Sequence, residues 1–418
     1  MTLISPHDRE VLRRLVEEQA NIAALPVHAE KAELWRKLND LEPVRPLVWI
    51  NEIPWHEMNV DDELTVQCED PWASWIETGL RRTLYQWRHM PGDMIVDDYV
   101  SCPKVIHSSG FGLSEDVDVV RTDDANSVVS RHFYRQINEP EDIEKIVDPV
   151  ITYDEALTME RFQALTDAVG DILPVKLVGH KGSWFAPWDE LIRWWGVQEA
   201  MMDLVLRPQM VNDIMSRLVD AYLCMLDQWE ELNLLTRNDD NTRIGSGAYG
   251  YTSELPGEDL DPEHPLPKNL WGCATAQIFV GVSPDMHWEF ALQHEMRWLE
   301  RWGMTYYGCC EPLDVKMGIM RKIPNLRKIS MSHWIDIERA VNEVQADYVM
   351  SRKPTPAGLA EDDWRPELAR QQLEEFLEKA KGCQIEIIMK DISTVRYQPQ
   401  RLWQWQEIAM ELAEAYAP

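Results

Sequence analysis

The chain has 418 residues, of which 45% are hydrophobic, and its formal net charge at pH 7 is −31. The hydrophobic fraction is ample for a large core, and the length allows several domains or one α/β barrel with insertions. The negative charge argues against a nucleic-acid-binding protein and against a polyanionic substrate, because both require basic surfaces.

The sequence contains no apolar run approaching the roughly 20 residues of a membrane span. Its charged, amphipathic start (MTLISPHDREVLRRLVEE) does not resemble a signal peptide. Seven cysteines, an odd number scattered through the chain, do not form a secreted disulfide framework. We therefore expect a cytoplasmic protein that contacts neither membranes nor nucleic acid, and a homodimer is an allowed assembly.

The first part of the chain predicts an N-terminal helical extension, residues 1–44, interrupted at Pro26. The apolar run 47–50 then predicts the first strand. Apolar residues recurring at intervals of three and four predict a helix over 70–90. Charged residues without a clear period predict an irregular excursion over 108–150, with room for a hairpin.

The second part of the chain becomes regular. A long helical region is predicted over 189–235, and residues 246–273, rich in Gly, Pro and acids, predict a long insertion after the fourth strand that could cover a site. From residue 284 onward helices and strands alternate, which is typical of parallel βαβ units. We predict eight strands, near residues 47, 94, 175, 243, 304, 326, 348 and 385.

Eight strands alternating with helices predict an α/β fold, a single (β/α)8 TIM-type barrel over residues 45–418. An open doubly wound sheet is the alternative. In a barrel the active site lies at the carboxyl ends of the strands. The polar residues predicted at those ends are Glu52, His180, Lys181, Asp240, Asn241, Cys309, Cys310, Glu311, His333, Lys390 and Asp391.

Adjacent Cys309 and Cys310, followed by Glu311, suggest a metal site, because thiolates and carboxylates together favour zinc. The alternative is that one cysteine is a small buried hydrophobic residue and the other its neighbour. Residues 352–354 are expected to form a solvated loop. His287 and His294, two turns apart on one helix, are expected to be structural.

The second half of the chain resembles the uroporphyrinogen decarboxylase superfamily, in particular its corrinoid-linked methyltransferase-like members. The resemblance implies a single (β/α)8 barrel. It covers roughly residues 276–409, and the N-terminal half matches more loosely through RPLVWINEIPW and VKLVGHKGSWF. The matching segments of the second half are SPDMHWEFALQHEMRWLERWG, YYGCCEPLD, IPNLRKISMSHWIDIERA, YVMSRKPTPAGLA and EIIMKDISTVRYQPQRLWQW.

The decarboxylase branch of this family opens with an arginine-rich stretch that binds the substrate's carboxylates. Residues 49–55 contain no arginine and include Glu52, which disfavours a porphyrinogen substrate. The methyltransferase branch holds zinc by a His-x-Cys after one strand and a Cys after the last. Here that histidine and the last cysteine are both missing. The ligands implied for this chain are Cys309, Cys310, His333 and Asp391, with Glu311 or Glu52 as a spare.

We therefore predict a methyltransferase that moves a methyl group from a small donor, of methyl ether or methylamine type, to a corrinoid protein with the help of zinc. The chain has no corrinoid domain and no DxHxxG-type motif, so the corrinoid is expected on a separate partner protein. The candidate catalytic residues are Glu52, Asp391 and His180. The candidate substrate-binding residues are Trp55, Trp184, Asn241, Tyr307 and Lys390.

Two alternatives remain at this point. The first is a metal-free decarboxylase or lyase acting on a smaller carboxylate, with His180, Lys181 and Lys390 as acid–base groups. The second is a non-enzymatic barrel that binds a tetrapyrrole or corrinoid.

Overall fold

The computed structural model describes residues 4–120, 129–182 and 184–417. Its β structure consists mainly of short strands whose side chains are buried on one or both faces. In chain order the strands are β1 Leu47–Ile50, β2 Val100–Pro103, β3 Ile106–Ser108, β4 Val117–Val120, β5 Ser130–Phe133, β6 Ile151–Tyr153, β7 Val175–Val178, β8 Trp271–Ala274, β9 Met304–Tyr307, β10 Leu326–Met331, β11 Val349–Arg352 and β12 Gln384–Met389.

Six strands form one parallel sheet, in the order β1-β12-β11-β10-β9-β8. β2 and β7 form a second parallel pair, and His180 continues it through a parallel bridge to Leu235. The excursion after β2 contains two antiparallel pairs, β3 with β6 and β4 with β5. The predicted α/β class with parallel strands is confirmed, whereas strand pairing in the described residues does not by itself establish a closed eight-stranded barrel.

The helices start where the sequence supplies capping side chains or proline. Ser5 accepts a hydrogen bond from the Asp8 amide, and Asp70 accepts from the Trp72 and Ala73 amides. The helices are α1 Pro6–Ala23, α2 Val27–Asn39, α3 Pro71–His89, α4 Glu155–Val169, α5 Pro187–Trp195, α6 Val197–Leu206, α7 Pro208–Glu231, α8 Pro284–His287, α9 Gln293–Leu299, α10 Met317–Met320, α11 Ile337–Val344, α12 Ala357–Ala360, α13 Pro366–Lys379 and α14 Gln400–Ala415.

A wide π-helical turn, Trp288–Leu292, joins α8 to α9. The N-terminal helices α1 and α2 break at Pro26, as the sequence predicts. Among the described residues, every helix is too short or too polar to pass through a lipid bilayer.

The two faces of the parallel sheet belong to different cores. Because successive strand residues point to opposite faces, Val48 and Ile387 contribute to the large core that includes helices α7 and α14. Leu47, Val349 and Ile388 contribute instead to a smaller core on the other face, which also contains Trp35, Ala248 and Tyr249. We call this second face the inner face of the sheet.

The segment 244–251 lies on the inner face and is part of the interior. The Ala248 amide donates to Glu386 Oε1 at 3.3 Å, and Lys328 Nζ donates to the Tyr249 carbonyl oxygen at 2.9 Å. Lys328 and Glu386 are both fully buried. The beginning of the predicted covering insertion therefore packs as core.

Two predicted strands are placed differently by the structure. The strand expected near residue 94 lies at β2, and the region near 243 makes only a bridge between Arg243 and Tyr249. The sheet strand that sequence reasoning missed is β8, whose Gly and Ala have low β propensity. Gly272 is needed there because a Cβ would lie 2.2 Å from the Trp302 ring.

Candidate active site

A cavity of about 530 Å³ opens beside the carboxyl ends of several parallel strands. Glu52 follows β1, Lys181 follows β7, Cys309 follows β9, and Lys390 and Asp391 follow β12. Parallel strands point the same way, so the loops at their carboxyl ends collect polar residues at one edge, where α/β enzymes bind substrates. This cavity is the candidate active site.

Five side chains form what we call the thiol–lysine cluster: Cys309, Cys310, Lys390, Asp391 and Glu52. The Sγ atoms of Cys309 and Cys310 lie 3.5 Å apart, and Cys310 Sγ lies 3.7 Å from Asp391 Oδ2. Lys390 Nζ lies 3.5 Å from Cys309 Sγ, 2.8 Å from Asp391 Oδ2 and 3.5 Å from Glu52 Oε2. One ammonium group thus contacts a thiol and two carboxylates.

Unusual backbone conformations bring these residues together. Gly308 has φ +98°, and a Cβ there would lie 2.5 Å from the Leu313 side chain, so the turn that places Cys309 at the cavity requires glycine. Glu52 and Asp391 also have positive φ angles, of 52° and 56°. Such non-glycine conformations cost on the order of 1 kcal/mol each and concentrate at functional sites.

The charges of the cluster are mutually stabilising. The hydrogen bond from Cys310 lowers the pKa of Cys309, burial opposes this shift, and the Lys390 ammonium supports it. The same hydrogen bond raises the pKa of Cys310 far above its usual value. Cys309 is therefore the thiol that ionises first. It is 4% exposed and lines the cavity.

Lys390 and Glu52 remain charged despite burial. Burial lowers the pKa of Lys390, but Cys309, Glu52 and Asp391 outweigh it and raise the pKa above the ordinary value. Burial similarly raises the pKa of Glu52, but Lys390 and Arg243 bring it down to about 2. The cluster therefore holds a persistent ammonium on Lys390 next to a persistent carboxylate on Glu52.

Glu311 supports the cysteine turn from behind. It is fully buried, its Oε2 accepts a hydrogen bond from the Cys309 amide at 2.8 Å, and its Oε1 accepts from Thr275 Oγ1 at 3.0 Å. Burial raises the pKa of this carboxyl group. Glu311 fixes the backbone of the turn, and Cys309 lies on the cavity side.

The structure brings together Glu52, Asp391, Lys390 and the two cysteines, and it places Trp184 in the cavity wall. Trp184 is 43% exposed, and its Nε1 donates to Asp189 Oδ2 at 3.3 Å. A large aromatic side chain is thus available to contact a bound molecule.

His180 and Asn241 lie apart from the cluster. The His180 ring stacks on Trp229 with centroids 4.0 Å apart, and burial lowers its pKa to about 4. Its Nε2 is buried without a hydrogen-bond partner among the described residues. Asn241 Nδ2 donates to the Ile95 carbonyl oxygen at 3.4 Å. A catalytic role for His180 and a binding role for Asn241 stay predictions.

Tyr307 and Trp55 also point elsewhere. Tyr307 is fully buried, and its hydroxyl group bonds to Glu295 and His287 at 2.7 Å each. Trp55 begins a short 3-10 segment and packs under the Arg82 guanidinium, 5.2 Å from the ring centroid. Neither side chain lines the candidate active site, so their substrate contacts stay predictions.

The predicted zinc ligands are only partly assembled. Cys309, Cys310 and Asp391 belong to the cluster, whereas His333 lines a different cavity beside Trp334. In the part of the chain that the structure describes, no three His, Cys, Asp or Glu side chains converge as metal ligands. The Lys390 ammonium lies between Cys309 and Asp391, so this arrangement fits a lysine better than a metal ion. The zinc site stays a prediction.

Some cavity residues were not predicted from the sequence as site residues. Arg243, assigned to a weak strand, donates to Glu52 Oε1 at 2.8 Å, and Gln277 donates to Asp189 Oδ2 at 2.7 Å. Lys353, which does not line the cavity, was expected in a solvated loop, but it is 4% exposed, and burial lowers its pKa to about 7. Its position directly after β11, at the carboxyl end of a strand, was the available signal.

Comparisons with known proteins extend the description of the fold. No protein-family model matches the chain, and no curated protein matches it. The resemblance to the uroporphyrinogen decarboxylase superfamily is therefore not confirmed. Among solved structures, the chain is similar to a methyltransferase from Methanosarcina mazei, with a TM-score of 0.51 and 10% identity, covering 93% of this chain and 99% of that chain. The two proteins thus share a fold over nearly their whole lengths.

Proposed function

We propose that this protein is a methyltransferase that takes a methyl group from a small donor and passes it to a corrinoid held by a separate protein. The observation that carries the proposal is the Lys390 ammonium, held at the cavity wall by Cys309, Asp391 and Glu52. The fold likeness to a methyltransferase and the strand-end position of the cavity support it. The enclosing architecture we propose is a (β/α)8 barrel.

The most difficult part of the proposed reaction is the departure of the heteroatom that carries the methyl group. A methyl ether or methylamine loses its methyl group readily only if the charge that develops on the departing oxygen or nitrogen is stabilised. Lys390 Nζ, which stays an ammonium group, can donate a hydrogen bond to that atom, and Asp391 Oδ2, 2.8 Å away, can orient the ammonium group. The partner's corrinoid, when bound, supplies the nucleophile that accepts the methyl group.

The charge balance of the cavity supports a small donor without several carboxylates. Each ammonium or guanidinium group among the described wall residues has an acidic neighbour: Lys181 lies 2.7 Å from Asp240, Arg243 lies 2.8 Å from Glu52, and Lys390 lies 2.8 Å from Asp391. A polycarboxylate would therefore have to displace these pairs. A neutral methyl ether would meet a polar but balanced surface.

Free reduced cobalamin can replace the partner protein in a first test. The purified chain is mixed with cob(I)alamin and with methanol, methoxybenzene or trimethylamine, and methylation is followed by loss of the cob(I)alamin absorption. We expect methylation with at least one donor, and a rate reduced about 100-fold or more in Lys390→Met, in line with loss of a charged donor that stabilises the leaving group. Lys381→Met, an exposed lysine on the same sheet-helix unit, is the matched control.

Metal assistance is a separate proposal with its own test. Zinc would use Cys309, Cys310 and Asp391, with His333 as the fourth ligand, and would polarise the donor's heteroatom. Metal analysis of the wild type beside Cys309→Ser and Cys310→Ser decides it. Zinc present in the wild type and lost from both variants supports these ligands, whereas equal zinc in all three excludes them.

Decarboxylation of a smaller carboxylate is the second candidate. It is favoured by one observation, namely that both Lys181 and Lys390 line the cavity. Either lysine could bind the carboxylate if its acidic neighbour moved. Release of carbon dioxide from short-chain acids, without methylation of cobalamin, would support this reaction and contradict the methyltransferase.

A further inference from the structure

A second cavity, of about 570 Å³, lies beside the carboxyl ends of β10 and β11. It shares no lining residue with the candidate active site. Helices α12 and α13 form much of its wall. The residues that matter most in it are His333, Trp334, Arg352, Trp364 and Phe376.

Arg352 is a cation without an acidic partner. It ends β11, and because Ser351 points toward the inner face, Arg352 points the other way, into the second cavity. Its guanidinium donates to the Ser332 carbonyl oxygen and lies 5.0 Å from the Phe376 ring centroid. Burial lowers its pKa to about 10, and no acidic residue offsets this shift.

Arg365, which lines the same cavity, differs from Arg352 in having an acidic partner. Its Nε donates to Glu361 Oε2 at 3.2 Å, so its charge is balanced. No carboxylate of the described chain lies within ion-pairing distance of Arg352, although the sequence has 72 acidic residues against 41 basic ones. A guanidinium has five N–H donors in a fork that matches a carboxylate, and Arg352 uses few of them.

The rest of the cavity wall is largely apolar and aromatic. Trp364 is fixed by a hydrogen bond from its Nε1 to Gln404 Oε1 at 2.8 Å. Trp334 is 67% exposed at the opening, with its ring 4.2 Å from that of His333. Cavities of roughly 300–1,000 Å³ with apolar walls and a few oriented polar groups are typical binding sites for small molecules.

We propose that the second cavity binds a small monocarboxylate with an apolar body, its carboxylate on Arg352 and its body against the aromatic wall. A phosphate ester fits less well, because Glu361 and Glu375 also line the cavity and a dianion would meet one unbalanced cation. Lys390, Asp391 and Glu52 of the proposed methyl transfer are not among the lining residues of the second cavity, and of the proposed zinc ligands only His333 lines it.

Fluorine NMR on the full chain tests the proposal, with para-fluorobenzoate as the probe and neutral para-fluorobenzamide as its isostere. We expect the acid to bind about tenfold or more tightly than the amide, as for one charge-assisted hydrogen-bonded pair. Arg352→Gln should remove this preference. Arg365→Gln, which changes the balanced arginine of the same cavity, should leave it within about twofold.

A further variant separates binding from folding. Gly358→Leu keeps Arg352 but adds a side chain beside Trp364, since a Cβ at residue 358 lies 3.7 Å from that ring. It should weaken fluorobenzoate binding even if Arg352→Gln does not fold. Equal binding of acid and amide would overturn the proposal. So would full binding by a folded Arg352→Gln protein, equal competition by inorganic phosphate, or loss of binding in Lys181→Met instead.

Discussion

Two adjacent tyrosines on β9 lead into two buried polar networks that differ in how their charges are balanced. Tyr306 points to the inner face, where Lys328 Nζ and Glu386 Oε2 form an ion pair at 3.0 Å. Tyr307 points to the opposite face, where its hydroxyl group joins Glu295 to His287. The inner network contains an ion pair, whereas the outer network is a series of hydrogen bonds.

The inner network gives most of its groups more than one partner. Tyr306 Oη bonds to Ser246 Oγ at 2.8 Å and to Ser351 Oγ at 3.2 Å, and it also accepts a hydrogen bond from Lys353 Nζ. Lys353 Nζ has Ser351 Oγ as an alternative acceptor at 2.6 Å. Loss of one member therefore leaves the others partly satisfied.

The outer network is a single chain of contacts. Lys316 Nζ lies 2.9 Å from His287 Nδ1, His287 Nε2 lies 2.7 Å from Tyr307 Oη, and Tyr307 donates to Glu295 Oε2 at 2.7 Å. Burial raises the pKa of Glu295 to about 8 and lowers that of Lys316 to about 8. Glu295 and Lys316 therefore titrate close to neutrality, as Lys353 of the inner network also does.

The largest expected effect comes from breaking the inner ion pair. Lys328→Met leaves the Glu386 carboxylate buried without its cation, which should lower the free energy of unfolding by about 3–5 kcal/mol. Urea denaturation at neutral pH measures it. The double variant with Glu386→Gln should recover part of the loss, because the unpaired charge is then gone. A loss below about 1 kcal/mol in the single variant would contradict a strong inner pair.

Tyr307→Phe and Tyr306→Phe compare the two networks directly. Tyr307→Phe removes the only described hydrogen-bond partner of Glu295, which should cost about 1–3 kcal/mol for a buried polar group left unsatisfied. Tyr306→Phe should cost only about 0.5–1.5 kcal/mol, since its neighbours keep other partners. Thermal and urea unfolding of both variants measure the difference. Equal costs, or a larger cost at Tyr306, would refute the contrast.

The sequence predicts the strands that carry the two networks but not the side-chain contacts within them. Apolar runs predicted β1, β9, β10 and β12 close to their observed bounds, and strand alternation requires Tyr306 and Tyr307 to face opposite sides. Whether either of them reaches the cavity depends on the register of the whole sheet, and neither lines it. The prediction that Tyr307 contacts substrate therefore could not be decided from β9 alone.

The candidate site was similarly predictable in position and less so in detail. Cys309, Cys310, Lys390 and Asp391 follow predicted strands, and strand ends are where α/β sites lie. The contact between Asp391 and Glu52 depends on positive φ angles at both residues, which no periodicity encodes. The missed strand β8 depends on close packing of Trp302 against Gly272, a tertiary contact rather than a local preference.

The effect most specific to the outer network is a pH dependence due to Glu295. Because its pKa is raised to about 8 in the folded protein, mainly by burial, the folded state holds a proton that the unfolded chain releases near pH 4.5. The stabilisation is therefore complete at low pH and is lost as pH rises toward 8, with a slope of up to about 1.4 kcal/mol per pH unit.

Lys353, whose pKa is lowered to about 7, acts in the opposite direction above that pH, so the informative quantity is a difference between proteins. The free energy of unfolding of the wild type minus that of Glu295→Gln should decrease steadily from pH 5 to pH 8. The same difference, measured with and without Glu295→Gln in a Lys353→Met protein, is the matched control. It should show the same decrease from pH 5 to pH 8. If this difference in the free energy of unfolding is constant from pH 5 to pH 8, Glu295 is ionised in the folded protein. The outer network would then contain a buried charge, as the inner network does.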